Sequence, residues 1–191
     1  MDPPVIYIEK EPFFALVLSS VETFKRECFG YIFGLKPSRT RNSYVITSAV
    51  AVQLAKKRRN KEIEQSKLSE KSMKKCFEKY PAIFPVIGDF HSHPEWGSHK
   101  REPGLSHTDM KDMIRTGYPL SVVIKISSIN KERILWQGTA DGGVKGSLGK
   151  YKFHINILKV VKDEHGELKE ERFFIQAPAA LRSLNRALGY T

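Results

Sequence analysis

Apolar and polar residues follow periods along the chain that predict a mixture of strands and helices. Short runs rich in β-branched and aromatic residues predict strands at 5–8, 28–35, 44–52, 84–90, 121–126, 133–138, 152–161 and 168–175. Apolar residues recurring every three or four positions, or long runs without Pro and Gly, predict helices at 13–26, 61–79, 106–116 and 178–188. Glycines at 142, 143, 146 and 149 indicate a flexible connection.

Strands and helices mixed in this order predict an α/β or α+β domain, in which a curved sheet carries helices packed on it. The length of 191 residues fits a single domain, 1–191, and the chain shows no internal repeat or low-complexity linker. The segment 94–105 combines Pro, Gly and Ser with charges of both signs, so we expect it to form an exposed loop.

The chain is strongly basic, with a formal net charge of +11. Residues 56–79 contain ten Lys or Arg against four Glu, and the simplest interpretation of this segment is a solvated helix face. A charge excess of this size also suits an acidic partner, either a protein surface or nucleic acid. Charge alone does not choose between these two partners.

The compartment can be predicted from features that the sequence lacks. No apolar run reaches the roughly 18 residues of a membrane span, and residues 1–4 lack the basic start of a signal peptide. Cys28 and Cys76 are far apart and form no C-x-x-C pair, so neither a disulfide framework nor a thiolate zinc site is predicted. We therefore expect a soluble, cytoplasmic protein with no membrane partner.

The segment 88–94, Gly-Asp-Phe-His-Ser-His-Pro, is the first candidate for chemistry. On a strand, His91 and His93 point to the same face and could present two imidazole nitrogens to one metal ion. Pro94 is expected to end the strand directly after them. Taken alone, this motif is a weak signal, and two histidines on the surface of a strand are its more common explanation.

Two further segments carry carboxylates at junctions between predicted elements. Ser106 and Asp109 form an S-x-x-D motif at the start of a helix, where the aspartate could be a third metal ligand or simply part of a capping box. Glu27 lies between the first helix and an apolar strand, in surroundings that would raise the pKa of a carboxyl group toward the range of a general base. The alternative is a partly exposed glutamate at a helix end.

Taken in order, the motifs E-x-x-G-x-x-x-G from Glu27 to Gly34, H-S-H-P at 91–94 and S-x-x-D at 106–109 resemble the JAMM signature of the MPN-plus zinc metalloproteases. The resemblance extends from the first helix through the strand after Asp109. It implies an MPN/JAMM fold, similar to the cytidine deaminase architecture, with a curved mixed sheet and helices packed on it.

The resemblance also implies a role for each matching residue. His91, His93 and Asp109 would bind one Zn²⁺, Glu27 would be the general base, and Ser106 would help to stabilise the oxyanion. Three protein ligands leave the fourth tetrahedral position for water, as a catalytic zinc site requires. No later cluster of Cys and His suggests a second zinc ion.

One departure from the family pattern is the loop between the second histidine and the serine. It has twelve residues, 94–105, where the family usually has about seven. The longer loop is thermodynamically tolerable, since loop-closure cost rises only slowly with length, and it is expected to alter access to the metal. His99 and His107 are interpreted as solvent-facing, and Trp96 is either a substrate platform or a loop anchor.

The leading functional hypothesis is a zinc-dependent peptidase or isopeptidase that acts near the C-terminal tail of a ubiquitin-like or sulfur-carrier protein, as the resemblance implies. A basic surface would steer an acidic protein substrate toward the enzyme. The alternative hypothesis is a non-catalytic scaffold of the same family that binds a partner. Nucleic-acid binding is motivated only by the charge, because the sequence has no aromatic-interleaved basic motif, helix-turn-helix or finger pattern.

Overall fold

The computed structural model describes residues 4–52, 55–58, 63–65, 67–98, 104–129 and 133–190. Its strands are β1 Val5–Ile8, β2 Phe29–Leu35, β3 Tyr44–Ala51, β4 Ala55–Arg58, β5 Ile63–Gln65, β6 Val86–Glu95, β7 Leu120–Ser128, β8 Gln137–Gly138, β9 Val144–Leu148, β10 Tyr151–Lys162 and β11 Leu168–Gln176. Its helices are α1 Lys10–Glu22, α2 Lys67–Lys79, α3 His107–Thr116 and α4 Pro178–Ala187.

Seven of the strands pair into a closed ring, in the order β1-β3-β2-β6-β7-β10-β11. The ring closes at β11, because its first residues pair antiparallel with β10 and its last residues, 174–176, pair parallel with β1. β9 and β8 extend the sheet beside the first half of β10, and β4 and β5 form a separate two-stranded hairpin. The fold is therefore a closed barrel with additional strands.

The predicted fold class is wrong. We expected an α/β or α+β domain of the MPN type, with helices packed on a curved sheet, whereas the described chain is mostly β, with a closed seven-stranded barrel and short helices. Closure depends on pairing between β1 and β11, which lie at opposite ends of the chain. Hydrophobic periodicity depends only on neighbouring residues, so it does not predict a pairing between segments that are distant in the sequence.

The main core lies against one face of the ring, which we call the core face. Alternate residues of each strand point to this face, as the two-residue period of a strand requires. Examples are Ile32 of β2 and Ile124 of β7, which are fully buried together with Phe13 of α1. Trp136 is also buried here, and its indole N–H donates a hydrogen bond of 2.8 Å to the carbonyl oxygen of Ser147.

The opposite face, which we call the second face, carries two smaller clusters covered by helices. Met113 of α3 packs with Val123 of β7 and Leu158 of β10. Phe77 of α2 packs on Tyr31 of β2, with ring centroids 5.1 Å apart. These helices cover the second face on both sides of β6, and this arrangement places the start of α3 near that strand.

Several local predictions are confirmed, with shifted boundaries. β1, β2, β3, α3 and α4 begin and end within about two residues of the predicted limits. The first helix lies earlier than predicted, at Lys10–Glu22. The second predicted helix, 61–79, begins only at Lys67, because β5 occupies Ile63–Gln65. Side chains of 55–70 lie outside the described part, so the basic helix face predicted for 56–79 is described only from residue 71 onward.

Three other local predictions are wrong. The glycine-rich connection contains a regular strand, β9, and the strand predicted at 133–138 is reduced to Gln137–Gly138. Pro94 does not end β6, which continues to Glu95 alongside β7. Proline is tolerated there because the pairing of β6 with β2 ends at His91, so no partner on that side requires a backbone N–H.

No helix in the described part of the chain is long and apolar enough to span a membrane.

Candidate metal centre

Two histidines of β6 point from the strand to the second face of the ring. His91 pairs with Val123 of β7, and Val123 lies on that face under α3. His93 follows two residues later and so points the same way. Both are buried, with 8% and 2% of their surface exposed respectively. The i, i+2 spacing on a strand therefore brings the two imidazoles side by side, with ring centroids 4.9 Å apart.

The third member of the group comes from the first turn of α3. Oδ2 of Asp109 lies 3.7 Å from Nε2 of His91 and 3.8 Å from Nε2 of His93. One carboxylate oxygen thus faces both imidazole nitrogens at nearly equal distance. Nε2 of His91 is buried and has no hydrogen-bond partner among the described residues. A buried polar atom in this state requires an explanation, and a metal ion would supply one.

The geometry fits a metal ion. The three ligand atoms all lie within 4.8 Å of one another. Zinc bonds to nitrogen and oxygen of about 2.0–2.1 Å place the ligands of a tetrahedral site roughly 3.4 Å apart. The observed separations of 3.7 and 3.8 Å exceed this by only a few tenths of an ångström. His91, His93 and Asp109 could therefore hold a metal ion.

Asp109 caps α3 and also faces the two histidines. Its backbone N–H donates to Oγ of Ser106 at 3.2 Å, and the backbone N–H of Ser106 donates to Oδ2 of Asp109 at 2.7 Å. This reciprocal pair is a complete capping box, and Ser106 is the N-cap residue of α3 as predicted. The oxygen that closes the cap is the same oxygen that faces the histidines. The cap thus orients the carboxylate toward the imidazoles.

The surroundings of Asp109 favour its ionised form. Burial by itself would raise the pKa of this carboxyl group, but His91, the two hydrogen bonds with Ser106 and then His93 together outweigh burial, so the pKa lies below its usual range. A metal ligand must be deprotonated to bind. The carboxyl group is therefore ionised at neutral pH.

Glu27 is buried at the entry to β2, with 7% of its surface exposed. The next residue, Cys28, belongs to the main core. The pairing of β2 with β6 sets Phe29 opposite His91. Glu27 lies two residues before this pair, at the end of β2 that is paired with the histidine strand.

Ser92, between the two histidines, joins the segment before β2 to β6 and has no role predicted from the sequence. Its backbone N–H donates to the carbonyl oxygen of Cys28 at 3.1 Å, and its Oγ accepts from the N–H of Cys28 at 2.8 Å. Ser92 thus ties the segment that carries Glu27 to the strand that carries both histidines. The small polar residue between the histidines was the available signal, but its partner could not be read from the sequence.

The structure describes two of the three residues in and next to this loop whose roles the sequence did not decide. Nζ of Lys25 lies 5.6 Å from the ring centroid of Trp96, which favours the loop-anchor interpretation of this tryptophan. Lys25 has a φ of 77°, an uncommon backbone conformation for a residue other than glycine. His107 is exposed, as expected. His99 lies outside the described residues.

Comparison with known proteins bears on the fold alone. No protein-family model matches the chain, and no curated protein matches it. Among solved structures, the solution structure of protein DSY2949 from Desulfitobacterium hafniense is similar, with a TM-score of 0.50 and 14% sequence identity. The match covers 90% of this chain and 93% of that chain. At this identity, the likeness carries no information about the chemistry of the site.

Proposed function

We propose that this chain is a zinc-dependent metallopeptidase or isopeptidase of the JAMM type. His91, His93 and Asp109 would hold one zinc ion, and Glu27 would be the general base. The observation that carries the proposal is the approach of one carboxylate oxygen to two buried imidazole nitrogens, at 3.7 and 3.8 Å. The proposal is based on these ligands and on their order along the chain. It does not use the fold as an argument.

The donor set favours zinc over Mg²⁺ and Ca²⁺. Mg²⁺ and Ca²⁺ prefer oxygen ligands, whereas two imidazoles and one carboxylate are typical of catalytic zinc. Three protein ligands leave one tetrahedral position for water or substrate, and a structural zinc site would instead be closed by a fourth side chain. The spacing of the three ligand atoms agrees with such a site.

The chain's own residues supply the remaining chemistry. When bound, zinc would lower the pKa of a water molecule toward about 7 and polarise the substrate carbonyl. The carboxylate of Glu27 would accept the proton from water and pass it to the leaving amine nitrogen. Oγ of Ser106 accepts the N–H of Asp109 and keeps its own hydrogen, so the hydroxyl can donate to the developing oxyanion.

The proposed substrate is the C-terminal tail of a ubiquitin-like or sulfur-carrier protein with an acidic surface. The net charge of +11 would accelerate the encounter with such a protein. Attraction of this kind weakens as ionic strength rises. Cleavage of an acidic substrate should therefore slow between low and physiological salt, and this change should appear mainly in kcat/KM.

Metal content and cleavage together test the proposal. Purified wild-type protein should contain one zinc per chain by elemental analysis, and His93→Ala should contain none. A panel of ubiquitin-like and sulfur-carrier fusions should be cleaved in a zinc-dependent manner. Glu27→Gln should keep the zinc and lose the cleavage, while Glu22→Gln, an exposed glutamate at the end of α1, should behave as the wild type.

Each outcome has a separate meaning. A wild-type protein that binds no zinc would refute the metal centre. Full activity in Glu27→Gln would refute the role of that residue as general base. Stoichiometric zinc without cleavage of any fusion would refute the peptidase and favour the non-catalytic scaffold.

A further inference from the structure

The segment that leads into α3 is fixed to a distant strand by one carboxylate. The backbone N–H of Leu105 donates to Oε2 of Glu170, in β11, at 3.0 Å. The neighbouring Gly104 lies so close that an added Cβ would stand 2.5 Å from the same oxygen. Leu105 is itself buried against Val123 and Leu158. The chain is therefore held at residues 104–105 by a hydrogen bond, a close approach and apolar packing.

This attachment continues directly into the candidate metal centre. The backbone N–H of Leu105 donates to Glu170, and the N–H of the next residue, Ser106, donates to Oδ2 of Asp109 at 2.7 Å. Two successive amide groups are thus each held by a carboxylate. A shift of the chain at Leu105 would move the amide of Ser106, and with it the oxygen that faces the histidines.

Glu170 is held in place by a small network of charges. Its Oε1 lies 3.3 Å from Nη2 of Arg172, two residues along β11. Nη1 of Arg172 lies 2.6 Å from Oδ2 of Asp141 in the turn before β9. Glu170 and Arg172 pair with Val160 and Leu158 of β10, so both point to the second face, on which α3 lies. Arg172 therefore holds the Glu170 carboxylate through Oε1, while Oε2 accepts the N–H of Leu105.

We propose that Glu170 is a positioning residue, which orients Asp109 as a metal ligand through the amides of Leu105 and Ser106. The inference rests on the proposed metal centre. β6 ends at Glu95 and α3 begins at His107. Glu170 holds the chain at Leu105, two residues before the helix begins. Groups that orient a ligand in this way commonly change metal affinity by about 10- to 100-fold.

The test compares neighbouring glutamates of β11 in the full chain. Glu171 is ion-paired to Lys159 at 2.7 Å and alternates to the other side of the strand, so Glu171→Ala is a matched control. Zinc affinity, measured by competition with a chromophoric chelator, should fall about tenfold or more in Glu170→Ala and stay near wild type in the control. Glu170→Gln, which keeps an oxygen acceptor for Leu105, should retain most of the affinity.

A second readout separates positioning from general destabilisation. The visible absorption spectrum of the Co²⁺-loaded protein reports ligand geometry, and it should change in Glu170→Ala but not in Glu171→Ala. A second variant, Gly104→Ala, should weaken zinc binding by pushing on Glu170, and this loss should be smaller when Glu170→Ala is also present. The double variant measures the energetic coupling between the two positions, which a general loss of stability would not produce.

The outcomes distinguish the two proposals. If the wild type binds one zinc and Glu170→Ala equals Glu171→Ala in affinity and in its Co²⁺ spectrum, the positioning role is overturned and the metal centre stands. Equal losses in Glu170→Ala and Glu170→Gln would also overturn it, because the acceptor oxygen would not matter. If the wild type binds no zinc, the metal centre itself fails and the positioning role fails with it.

Discussion

The substitution Asp109→Asn separates the two roles of this residue. Asparagine keeps an oxygen that can accept the N–H of Ser106, so the cap at the start of α3 should largely persist. It loses the negative charge that faces His91 and His93. Without metal, we expect the free energy of unfolding to fall by about 1 kcal/mol or less, the usual range for a weakened cap and helix-dipole interaction.

The effect with metal should be much larger. At free zinc 100-fold above its dissociation constant, binding stabilises the wild-type fold by about 2.7 kcal/mol. A charged ligand lost from the site should weaken affinity by about a hundredfold or more, which leaves about 0.4 kcal/mol of stabilisation at the same zinc concentration. The predicted difference of roughly 2 kcal/mol in zinc-induced stabilisation is therefore well above the uncertainty of a denaturation experiment.

The assay is urea denaturation with zinc buffered at that concentration and with chelator. The matched control is Asp112→Asn, one turn further along α3, where the carboxylate bonds to Arg115 at 3.1 Å and is exposed. The control should keep the full zinc response, with a change of at most about 0.5 kcal/mol in either condition. Equal zinc stabilisation of Asp109→Asn and the wild type would refute our assignment of this carboxylate as a ligand.

Three further predictions each depend on the surroundings of an individual side chain. Iodoacetamide should alkylate the exposed Cys76 in the native protein and spare Cys28, because burial raises the pKa of the Cys28 thiol and blocks access; two modified sites by mass spectrometry would contradict this. Partial burial would raise the pKa of Asp141, but a hydrogen bond with the Thr139 hydroxyl, among other interactions, lowers it overall. Its contribution to stability should therefore be present at pH 7 and lost as the pH falls through that lowered value, so Asp141→Asn should destabilise at pH 7 and the loss should shrink as the solution is acidified through that range. Trp136→Ala should cost about 3–5 kcal/mol in urea denaturation, since it empties a buried site.

Much of the candidate site could be predicted because its signals are local. The two-residue period of a strand puts His91 and His93 on one face, whatever the surrounding fold. The S-x-x-D motif marks the start of α3, where the structure has its capping box. The sequence could not decide whether Asp109 only caps the helix or also faces the histidines. That choice depends on where α3 packs, through Met113, against the second face of the ring.

The residues that hold the site together were not predictable, since each acts through a partner remote in sequence. Ser92 meets Cys28 across two paired strands, and Glu170 meets Leu105 across 65 residues. Neither the local composition nor the hydrophobic periodicity of the sequence indicates these pairs. The anchoring role of Glu170 follows from side-chain direction on β11, which becomes known only when the strand pairs with β10.

The sequence by itself determined most of the element types, the cap of α3 and the strand that presents two imidazoles, because these follow from neighbours within a few residues. Only the tertiary structure decided that the sheet closes, with β11 joined to β1, and that β6 continues past Pro94. It also decided that a carboxylate from a separate helix lies beside both histidines. The physical reason is that strand pairing and helix packing are set by contacts between distant segments, and a local pattern of apolar residues fits several such arrangements equally well.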